Sequence, residues 1–435
     1  MSLLLKNARY IITQNSERAV LENKDILIEG NTISEIGEHL KGDEEIDCSK
    51  NIVMPGLINL HTHSAMNLLK GYSDDLKLVD WLSKKVWPIE AKFQPEDVKW
   101  GSMLAFLEMV KTGTTCFNDM YFSSDIIAKC AQTIGIRGFV GYGLIDLNKY
   151  GSGFDEEKRK AELKETLRIR DFLKSMHDSK IKFAVAPHAP YACSEELLLK
   201  AKEIADAEKA PYHIHVSETK KEVSDSVETF GKRPVVRLHD MGLLDSNVIM
   251  AHAVWVNDTE WQMLKGTKTK VVNCPVSNLK LASGIPPWHG LKEIHAGLGT
   301  DSAASNNNLN MFEDMKMAAI IQKLSVGDAS LVTAQDVLDM ATCNGADALN
   351  INAGRIEPDK LADIITLNTN QLMINPLRRD NLISNIVYSA SGADVHDTII
   401  DGKVLMRYRK VLTVNQDEVI QKANERSNIL FKNAV

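Results

Sequence analysis

Several features that mark particular classes of protein are missing from this chain of 435 residues. No uninterrupted apolar run approaches the ~18 residues that a membrane-spanning helix needs. The N-terminal segment has too short an apolar core, and no small-residue cleavage site, for a secretory signal. These absences predict a cytoplasmic protein that has no membrane partner.

Cysteine and long stretches of one charge sign are also scarce. The six cysteines are scattered without a C-x-x-C pair, which predicts reduced and mostly buried thiols. The net charge is −7, with neither a basic tract nor an acidic tail, so no nucleic-acid partner is expected. The composition, 44% hydrophobic and 25% charged, is that of a globular protein, and the length allows more than one domain.

What is present begins with two β-rich chain ends. DILIEGNTISEIGE alternates apolar and polar residues around positions 30–31, and DTIIDGKVLMRYRKVLTV does so around positions 401–402. Both patterns predict hairpins with two-residue turns. We predict that residues 1–55 and 355–435 pair into one small composite β-sandwich domain.

The middle of the chain, residues 56–354, alternates short apolar runs with amphipathic helical segments. The eight runs are GLINLHTH, TTCFNDMY, GFVGYGLID, KFAVAPHAP, PYHIHVSE, NVIMAHAV, KVVNCPVSN and HAGLGTDS. Repeated β-then-helix units imply a parallel sheet, and eight of them favour closure into a barrel. The predicted fold class is therefore α/β, with a (β/α)8 TIM-type barrel and the β-sandwich attached to it.

In each apolar run the polar residues come last. They are His61, His63, Asn118, Asp119, Asp146, His188, His215, Glu218, His252, Asn273, Asn278 and Asp301. The C-terminal ends of all strands in such a barrel point to one rim, where active sites lie. The pattern thus predicts that residues far apart in sequence meet at one mouth.

The histidines at this rim predict a metal site. His61 and His63 are one residue apart on a strand, so their side chains face the same way. His215 on strand five lies nearer the rim than His213, for which packing or support of a ligand is expected. Asp301 ends strand eight, where its alternative role is a helix N-cap. We predict that His61, His63, His215 and Asp301 hold one divalent metal.

A second metal is not expected. Related barrels bridge two metals with a carbamylated lysine on strand four, but here that strand ends in His188 and carries Lys182 at its opposite end. The ligand types accept zinc, iron, manganese and other divalent ions, so they do not specify the native metal.

A metal held in this way lowers the pKa of a bound water to about 7 and makes a hydrolytic nucleophile available. Asp301 is placed to accept the proton of that water as general base. His252, at the end of strand six, is either a fourth ligand or a hydrogen-bonding partner of the water or the reacting centre. We favour the second role.

The reaction is indicated by Glu218, three residues after His215. Hydroxide attack on an aromatic C–NH2 carbon needs a proton at the adjacent ring nitrogen, and a carboxylic acid can donate it. Simple amide hydrolysis needs no acid at this place. The alternative is a surface carboxylate at the start of ETKKEVSDSVE. We therefore predict hydrolytic deamination, with Glu218, His252 and Asp301 as catalytic residues.

Seven segments together resemble a known family. They are PGLINLHTHSAMNLLKGYSDDL, TTCFNDMYF, APHAPYACS, HIHVSET, MAHAV, SNLKLASGIPP and LGTDSAASNNNLNMFEDM. The chain resembles the amidohydrolase superfamily, and within it the methylthioadenosine/S-adenosylhomocysteine deaminases and related 5′-substituted adenosine deaminases. H-x-H and GTD are signals of the superfamily, whereas DMYF and PHAPY are more specific.

The resemblance implies a metal-dependent hydrolase barrel with zinc, or another divalent metal, at the four ligands named above. It implies that Glu218 moves a proton to the purine ring and that His252 holds the attacking water. His188 would lie near the sugar, and Glu90 would accept hydrogen bonds from the ribose hydroxyls. Trp81 would pack on the nucleoside, with packing on its own helix face as an equal alternative.

The implied reaction converts a 5′-substituted adenosine and water into the inosine derivative and ammonia. The candidate substrates are 5′-methylthioadenosine, 5′-deoxyadenosine and adenosine, with S-adenosylhomocysteine as a further one. The implied partner is thus a small-molecule nucleoside, and a homo-oligomer fits the family.

The segment after strand three departs from the family pattern. Members that handle S-adenosylhomocysteine place arginines there, whereas this chain has Tyr142 and Phe154, with Lys149, Lys158 and Arg159 nearby. A carboxylate buried without a bidentate partner binds poorly. We therefore expect a preference for apolar 5′ groups over S-adenosylhomocysteine.

Two other functions compete with this prediction. Another mononuclear aminohydrolase, acting on a free purine, pterin or triazine ring, would have the same metal ligands, but Trp81 and Glu90 favour a ribosylated substrate. A non-catalytic barrel scaffold is the second alternative. It would have lost some ligands, whereas all four ligand positions and both proton-handling positions are filled here.

Overall fold

A computed structural model describes residues 2–76, 78–148 and 153–432 of the chain. The strands are β1 (Ser2–Ile12), β2 (Val20–Glu29), β3 (Thr32–Gly37), β4 (Glu44–Asp47), β5 (Asn51–Pro55), β6 (Leu57–Thr62), β7 (Thr114–Tyr121), β8 (Arg137–Leu144), β9 (Ile181–Pro187), β10 (Tyr212–Val216), β11 (Val248–His252), β12 (Lys270–Asn273), β13 (Gly297–Leu298), β14 (Ile364–Asn368), β15 (Val395–Ile400), β16 (Lys403–Arg407) and β17 (Lys410–Val411).

The helices connect these strands in chain order. They are α1 (Leu78–Trp81), α2 (Trp87–Glu90), α3 (Pro95–Lys111), α4 (Ser124–Ile134), α5 (Glu156–Ser175), α6 (Glu195–Glu208), α7 (Lys220–Phe230), α8 (Pro234–Asp240), α9 (Asp258–Thr267), α10 (Pro275–Lys280), α11 (Trp288–Glu293), α12 (Ala303–Asn306), α13 (Met311–Val326), α14 (Ala334–Ala341), α15 (Cys343–Ala348), α16 (Leu382–Tyr388) and α17 (Gln416–Lys432). A π-helical turn, Leu82–Val86, joins α1 to α2, and short 3-10 helices occur at Ser64–Leu69, Leu372–Ile374, Arg379–Asn381 and Gly392–Asp394.

Strands β6 to β13 form one parallel sheet in sequential order, which confirms the predicted eight-stranded barrel. The barrel is nearly closed, because β6 and β13 meet at the rim through a hydrogen bond from Asp301 N–H to the His61 carbonyl at 2.9 Å. The seventh predicted run, KVVNCPVSN, is a strand only to Asn273. Its remainder becomes α10, whose first residue, Pro275, suits the start of a helix.

The helices around the barrel begin where the sequence offers capping side chains. Ser194, Thr219 and Asn257 each accept a backbone N–H in the first turn of α6, α7 and α9. Such caps satisfy backbone donors that the helix itself leaves unpaired. They fix the point at which each strand–helix connection leaves the rim.

The two chain ends build a second sheet. Its order is β17-β16-β15-β14-β5-β1-β2-β3, with β4 paired to β1, so both ends contribute to it. Both predicted hairpins are confirmed, since Glu29 pairs with Thr32 and Ile400 with Lys403 across two-residue turns. Gly30 in the first turn, and Asp401 and Gly402 in the second, have positive φ, as two-residue hairpin turns require at one or both central positions. The division of the chain at residues 55/56 and 354/355 stays a prediction.

A buried ion-pair group links this sheet to the barrel. Arg137, the first residue of β8, donates from Nε to Asp363 at 2.6 Å and from Nη2 to Asp401 at 3.0 Å. The backbone N–H of Asp401 also donates to Asp363 at 2.8 Å. Bidentate arginine–carboxylate contacts of this kind are geometrically specific, so they fix the orientation of the sheet on the barrel.

The rest of the described chain agrees with the compositional expectations. All six cysteines are buried free thiols. Among the described residues, no helix combines the length and apolar character needed to traverse a bilayer.

Candidate active site

The four side chains predicted as metal ligands converge at the rim of the barrel. The Nε2 atoms of His61 and His63 lie 3.5 and 3.4 Å from Oδ1 of Asp301. His215 Nε2 lies 3.4 Å from His63 Nε2. Three strands, β6, β10 and β13, therefore bring together residues that are up to 240 positions apart (301 − 61).

Two of the histidines are oriented by backbone carbonyls. His63 Nδ1 donates to the Met120 carbonyl, and His215 Nδ1 donates to the His188 carbonyl, both at 2.6 Å. A carbonyl can only accept, so Nδ1 carries the proton in each ring, and the lone pair of a neutral ring is on Nε2. Burial keeps the pKa of His215 well below its ordinary value, which favours that neutral form.

His61 lies deepest in the cluster. Its Nδ1 is 2.8 Å from Nε2 of His213, while its own Nε2 is buried and has no hydrogen-bond partner among the described residues. Burial lowers the pKa of His61 to about 4, so the ring is neutral at pH 7. A buried, unpaired ring nitrogen facing Asp301 is the arrangement expected of a metal ligand.

The carboxylate of Asp301 is held by hydroxyl groups on one side. Its Oδ2 accepts from Ser277 Oγ at 2.6 Å and from Ser305 Oγ at 2.9 Å, which leaves Oδ1 facing the histidines. Although burial opposes ionisation, the adjacent imidazoles of His61, His63 and His252 hold the pKa of Asp301 far below its ordinary value. The alternative role of Asp301 as a helix cap is wrong, since Ser302 caps α12.

Glu218 lies just beyond β10 and is 5% exposed, so it is not a surface carboxylate. Its Oε2 is 3.9 Å from Nε2 of His252, and its Oε1 accepts from Ser283 Oγ at 3.4 Å. Burial raises the pKa of Glu218. His252 is oriented in turn by Asn278, whose Oδ1 lies 2.9 Å from His252 Nδ1.

These side chains surround an inner cavity of about 80 Å³. Its lining contains His63, Trp81, Glu90, His188, His215, Glu218, His252 and Asp301. Trp81, Glu90 and His188, which are predicted to contact the substrate together with the catalytic Glu218 and Asp301, therefore face the same space as the ligand cluster. Trp81 is buried on its helix and also lines the cavity, so its packing on the nucleoside stays a prediction.

Glu90 is a partly buried carboxyl at the edge of the inner cavity. Its Oε1 accepts a hydrogen bond of 2.5 Å from the hydroxyl of Tyr121. Burial raises the pKa of Glu90 to about 7, although the Tyr121 contact and the His63 charge act in the opposite direction. Trp81 is fixed nearby through a hydrogen bond from Nε1 to the Ser73 carbonyl at 3.0 Å.

An outer cavity of about 610 Å³ adjoins the inner one. The two cavities share four lining residues, which are Leu78, Leu82, Trp87 and Tyr191. Phe154, in the segment singled out after strand three, lines the outer cavity. The two spaces thus meet across an apolar boundary formed largely by the helical segment 78–90.

The other described residues singled out in and after strand three, Tyr142, Lys158 and Arg159, line neither cavity. Burial, together with the nearby charge of Glu162 on α5, raises the pKa of Tyr142 above its ordinary value, and this residue lines neither cavity. Lys158 donates to the Leu147 carbonyl at 3.1 Å.

Arg159 and Lys149 complete the set of basic residues considered after strand three. The guanidinium of Arg159 pairs with Glu196 at 2.7 Å and with Asp146 at 3.4 Å, and the residue does not line either cavity. Lys149 lies outside the described residues.

A model of the Amidohydrolase family matches residues 52–405, most of the chain. The chain belongs to the amidohydrolase family. Within this family it is 45% identical over 410 residues to a 5-methylthioadenosine/S-adenosylhomocysteine deaminase of Thermococcus sibiricus, covering 93% of this chain and 94% of that protein. It is 43% identical over 436 residues to a 5′-deoxyadenosine deaminase of Methanosarcina acetivorans, covering 99% of each.

A solved amidohydrolase-like structure agrees with this placement. An adenosine deaminase from Xanthomonas campestris with bound zinc superimposes with a TM-score of 0.93 and 32% sequence identity, covering 99% of this chain and 98% of that one. The resemblance predicted from the sequence segments is therefore confirmed at the level of the family.

Several residues of this amidohydrolase site were not predicted from the sequence as contributors. Ser277 and Ser305 hold Asp301, Tyr121 holds Glu90, and Glu222 holds the loop that carries Glu218. Their signal lies in the motifs themselves, since Tyr121 belongs to DMYF and Ser277 to VSNLK. Hydroxyl residues are common in loops, so the sequence alone does not show which of them contact the side chains of the site.

Proposed function

We propose that this amidohydrolase is a metal-dependent deaminase that converts 5′-substituted adenosines and water into the corresponding inosines and ammonia. The observation that carries the proposal is the buried carboxyl of Glu218, which faces the cavity that the predicted ligands border. A proton donor at that place serves attack on an aromatic C–NH2 carbon. The names of the relatives from Thermococcus and Methanosarcina support the same substrate class.

The proposed ligands of the metal are His61, His63, His215 and Asp301. His61 and His63 direct their Nε2 atoms toward Oδ1 of Asp301, and the unpaired Nε2 of His61 supports a cation at this place. Three nitrogens and one oxygen suit zinc, and the zinc in the Xanthomonas adenosine deaminase supports it, with iron and manganese as chemical alternatives. When bound, one such metal supplies water that is ionisable at neutral pH.

The chain's own residues move the protons. Burial raises the pKa of Glu218, which favours the protonated carboxyl that can donate to the ring nitrogen next to the reacting carbon. Asp301 accepts a proton from the attacking water. His252, oriented by Asn278, binds the attacking water, since its Nε2 faces the cavity on the side of Glu218.

The remaining lining residues bind the nucleoside. Glu90 accepts hydrogen bonds from the ribose hydroxyls in its ionised form, Trp81 packs on the nucleoside, and His188 contacts the sugar region. The 5′ substituent then extends past Leu78 and Trp87 into the outer cavity. Most of the surface of that cavity is apolar, which favours 5′-methylthioadenosine and 5′-deoxyadenosine over S-adenosylhomocysteine.

One observation supports a carboxylate-bearing 5′ group as the second candidate. Arg237 lines the outer cavity, and its Nη2 has no hydrogen-bond partner among the described residues. Its other nitrogens are engaged, because Nε donates to Glu195 and Nη1 to the Pro190 carbonyl. The ring of Phe230 covers the guanidinium at 3.6 Å. These contacts leave a single NH2 group rather than a bidentate fork of two nitrogens, so the apolar substrates remain our first choice.

Ultraviolet assays for adenosine-to-inosine conversion across 5′-substituted adenosines, together with metal analysis, test the proposal. We expect turnover of 5′-methylthioadenosine or 5′-deoxyadenosine and about one metal per chain. Glu218→Gln should keep the metal and lose at least about a hundredfold in kcat. Inactivity on every adenosine, with turnover of a free purine, pterin or triazine, would instead establish the alternative aminohydrolase. Absence of both metal and ammonia release would favour a scaffold.

The partner, location and assembly of the protein do not follow from its fold alone. We propose a small nucleoside as the partner, with neither nucleic acid nor membrane, a cytoplasmic location, and association into a homo-oligomer. The net charge of −7 supports the absence of a polyanionic partner.

A further inference from the structure

The short loop between β10 and α7 is held by a buried carboxylate. Glu222, in the first turn of α7, accepts the backbone N–H of Ser217 at 2.8 Å through Oε1. Its Oε2 accepts the backbone N–H of Glu218 at 2.7 Å. Both oxygens of one carboxylate are therefore bound to two consecutive amides, and the second amide belongs to the proposed proton donor.

This contact differs from ordinary capping of a helix. In α9, Glu260 reaches the backbone N–H of its N-cap, Asn257, at 2.9 Å, which is the usual capping box. In α7 the N-cap is Thr219, whose hydroxyl accepts the Glu222 N–H at 3.1 Å. The carboxylate of Glu222 passes over Thr219 and binds the two residues before it, so capping alone does not account for its position.

The backbone of the loop is shaped to receive an anion. Ser217 has a φ of 55°, a left-handed conformation that a serine adopts at an energetic cost. Successive N–H groups in such a turn form a small concave site for negative charge. Glu222 fills this site, so its carboxylate offsets the strain and fixes the position of the Glu218 Cα.

The side chain of Glu218 is held much more loosely than its backbone. Among the described residues, the polar contacts of its carboxyl are with Ser283 Oγ at 3.4 Å and with His252 Nε2 at 3.9 Å. A group that must move a proton needs a fixed origin and a side chain free to turn. Glu222 fixes the backbone from which the Glu218 side chain starts, and the long contacts of the Glu218 carboxyl leave that side chain free to turn.

We propose that Glu222 is a positioning residue for the reaction, and that its carboxylate holds the Ser217–Glu218 backbone so that the Glu218 carboxyl reaches the substrate ring. The inference rests on the proposed function, because the role of Glu218 belongs to it. Glu222 lines the outer cavity rather than the inner one, and both of its oxygens are occupied by amides, so its carboxylate is not available to the substrate ring.

The test is a double-mutant comparison. Glu222→Gln keeps the side-chain shape but replaces one acceptor oxygen with an NH2 group, which cannot accept the second amide. We expect kcat to fall at least about tenfold while KM and metal content stay within about threefold, because misplacing a reacting group by an ångström is costly. In a Glu218→Gln background the same change should have almost no further effect, since interacting residues are not additive.

Two variants make the comparison specific. Glu228→Gln, on the exposed side of α7, is the matched control and should leave kcat unchanged. Glu222→Asp retains the charge but shortens the reach, so we expect its kcat to lie between wild type and Glu222→Gln. If Glu222→Gln does not fold, Glu222→Asp takes its place in the double-mutant comparison.

The outcomes separate this inference from the proposed function. Wild-type kcat in Glu222→Gln, with Glu218→Gln inactive, would overturn the positioning role alone. An equal loss in both the wild-type and Glu218→Gln backgrounds would also overturn it, because Glu222 would then act independently of Glu218. Full activity of Glu218→Gln would overturn the proposed function itself.

Discussion

Nδ1 of His61 lies 2.8 Å from Nε2 of His213, at the bottom of the predicted ligand cluster. One of these nitrogens must carry the proton for a hydrogen bond to form. If His61 Nδ1 is the donor, its Nε2 keeps the lone pair that faces Asp301. His213 therefore selects the ring form of His61 that can bind a metal, as partners of ligating histidines generally do.

Replacing His213 with phenylalanine should weaken metal binding. His213→Phe fills the buried space but offers no acceptor to His61, so we expect affinity for zinc to fall about 10–100-fold. Equilibrium dialysis against a competing chelator, followed by elemental analysis, measures this directly and does not depend on activity. His239→Phe on α8 is the control, since His239 is exposed and remote from the cluster. Unchanged zinc affinity in His213→Phe would show that His61 needs no such partner.

The fold could be predicted from the sequence because its signals are local and repeated. Apolar runs followed by polar rim residues mark the barrel strands, and residues 30–31 and 401–402 mark the hairpin turns. The limits of the strands were less predictable. The last strand, Gly297–Leu298, is much shorter than the run HAGLGTDS, because the chain turns at the rim to present Asp301.

The site was predictable where strand position decides it and less so where loops do. His61, His63 and His215 follow from the two-residue period of strands. Tyr142 illustrates the limit, because one position along β8 decides whether a side chain faces the cavity or α5. The contact of the Glu222 carboxylate with the Ser217 and Glu218 amides depends on a left-handed backbone conformation at Ser217, which no periodic sequence pattern predicts.

The partly buried carboxyl of Glu90 should lower the stability of the protein at high pH. Burial raises its pKa from an ordinary 4.5 to about 7, so the folded state binds the proton more tightly than the unfolded state. The associated stability is present below pH 4.5 and is lost as the pH rises through about 7. Glu90→Gln should therefore raise the Tm at pH 8, by an amount worth up to about 3 kcal/mol, and hardly change it at pH 4.5.

The same substitution should weaken substrate binding, because an amide oxygen accepts less well than a carboxylate from two ribose hydroxyls. Thermal unfolding at the two pH values, paired with KM at pH 8, measures both effects. Glu17→Gln, at an exposed position, is the control and should change neither quantity. A lower Tm for Glu90→Gln at pH 8 would contradict the argument.

The contact between Arg137 and Asp363 should be important for stability. Arg137→Met leaves a buried carboxylate without its partner, a loss of about 3–5 kcal/mol for pairs of this kind. We expect a clear fall in Tm, and partial recovery when Asp363→Leu removes the unpaired charge as well. Arg168→Met breaks a pair at a half-exposed arginine and should cost no more than about 1 kcal/mol. Equal losses for both arginines would mean that burial of the pair is unimportant.

Phe154 should influence which 5′ substituents are accepted, because it lines the outer cavity that adjoins the nucleoside pocket. Phe154→Arg adds a guanidinium there, so we expect kcat/KM for S-adenosylhomocysteine to rise about tenfold relative to 5′-methylthioadenosine, the size of one charge-assisted hydrogen bond. Phe154→Leu keeps the wall apolar and should leave the ratio unchanged. Arg237→Met tests the competing arginine: if wild type already prefers S-adenosylhomocysteine and this variant loses the preference, the carboxylate binds Arg237 and the apolar assignment of the cavity is wrong.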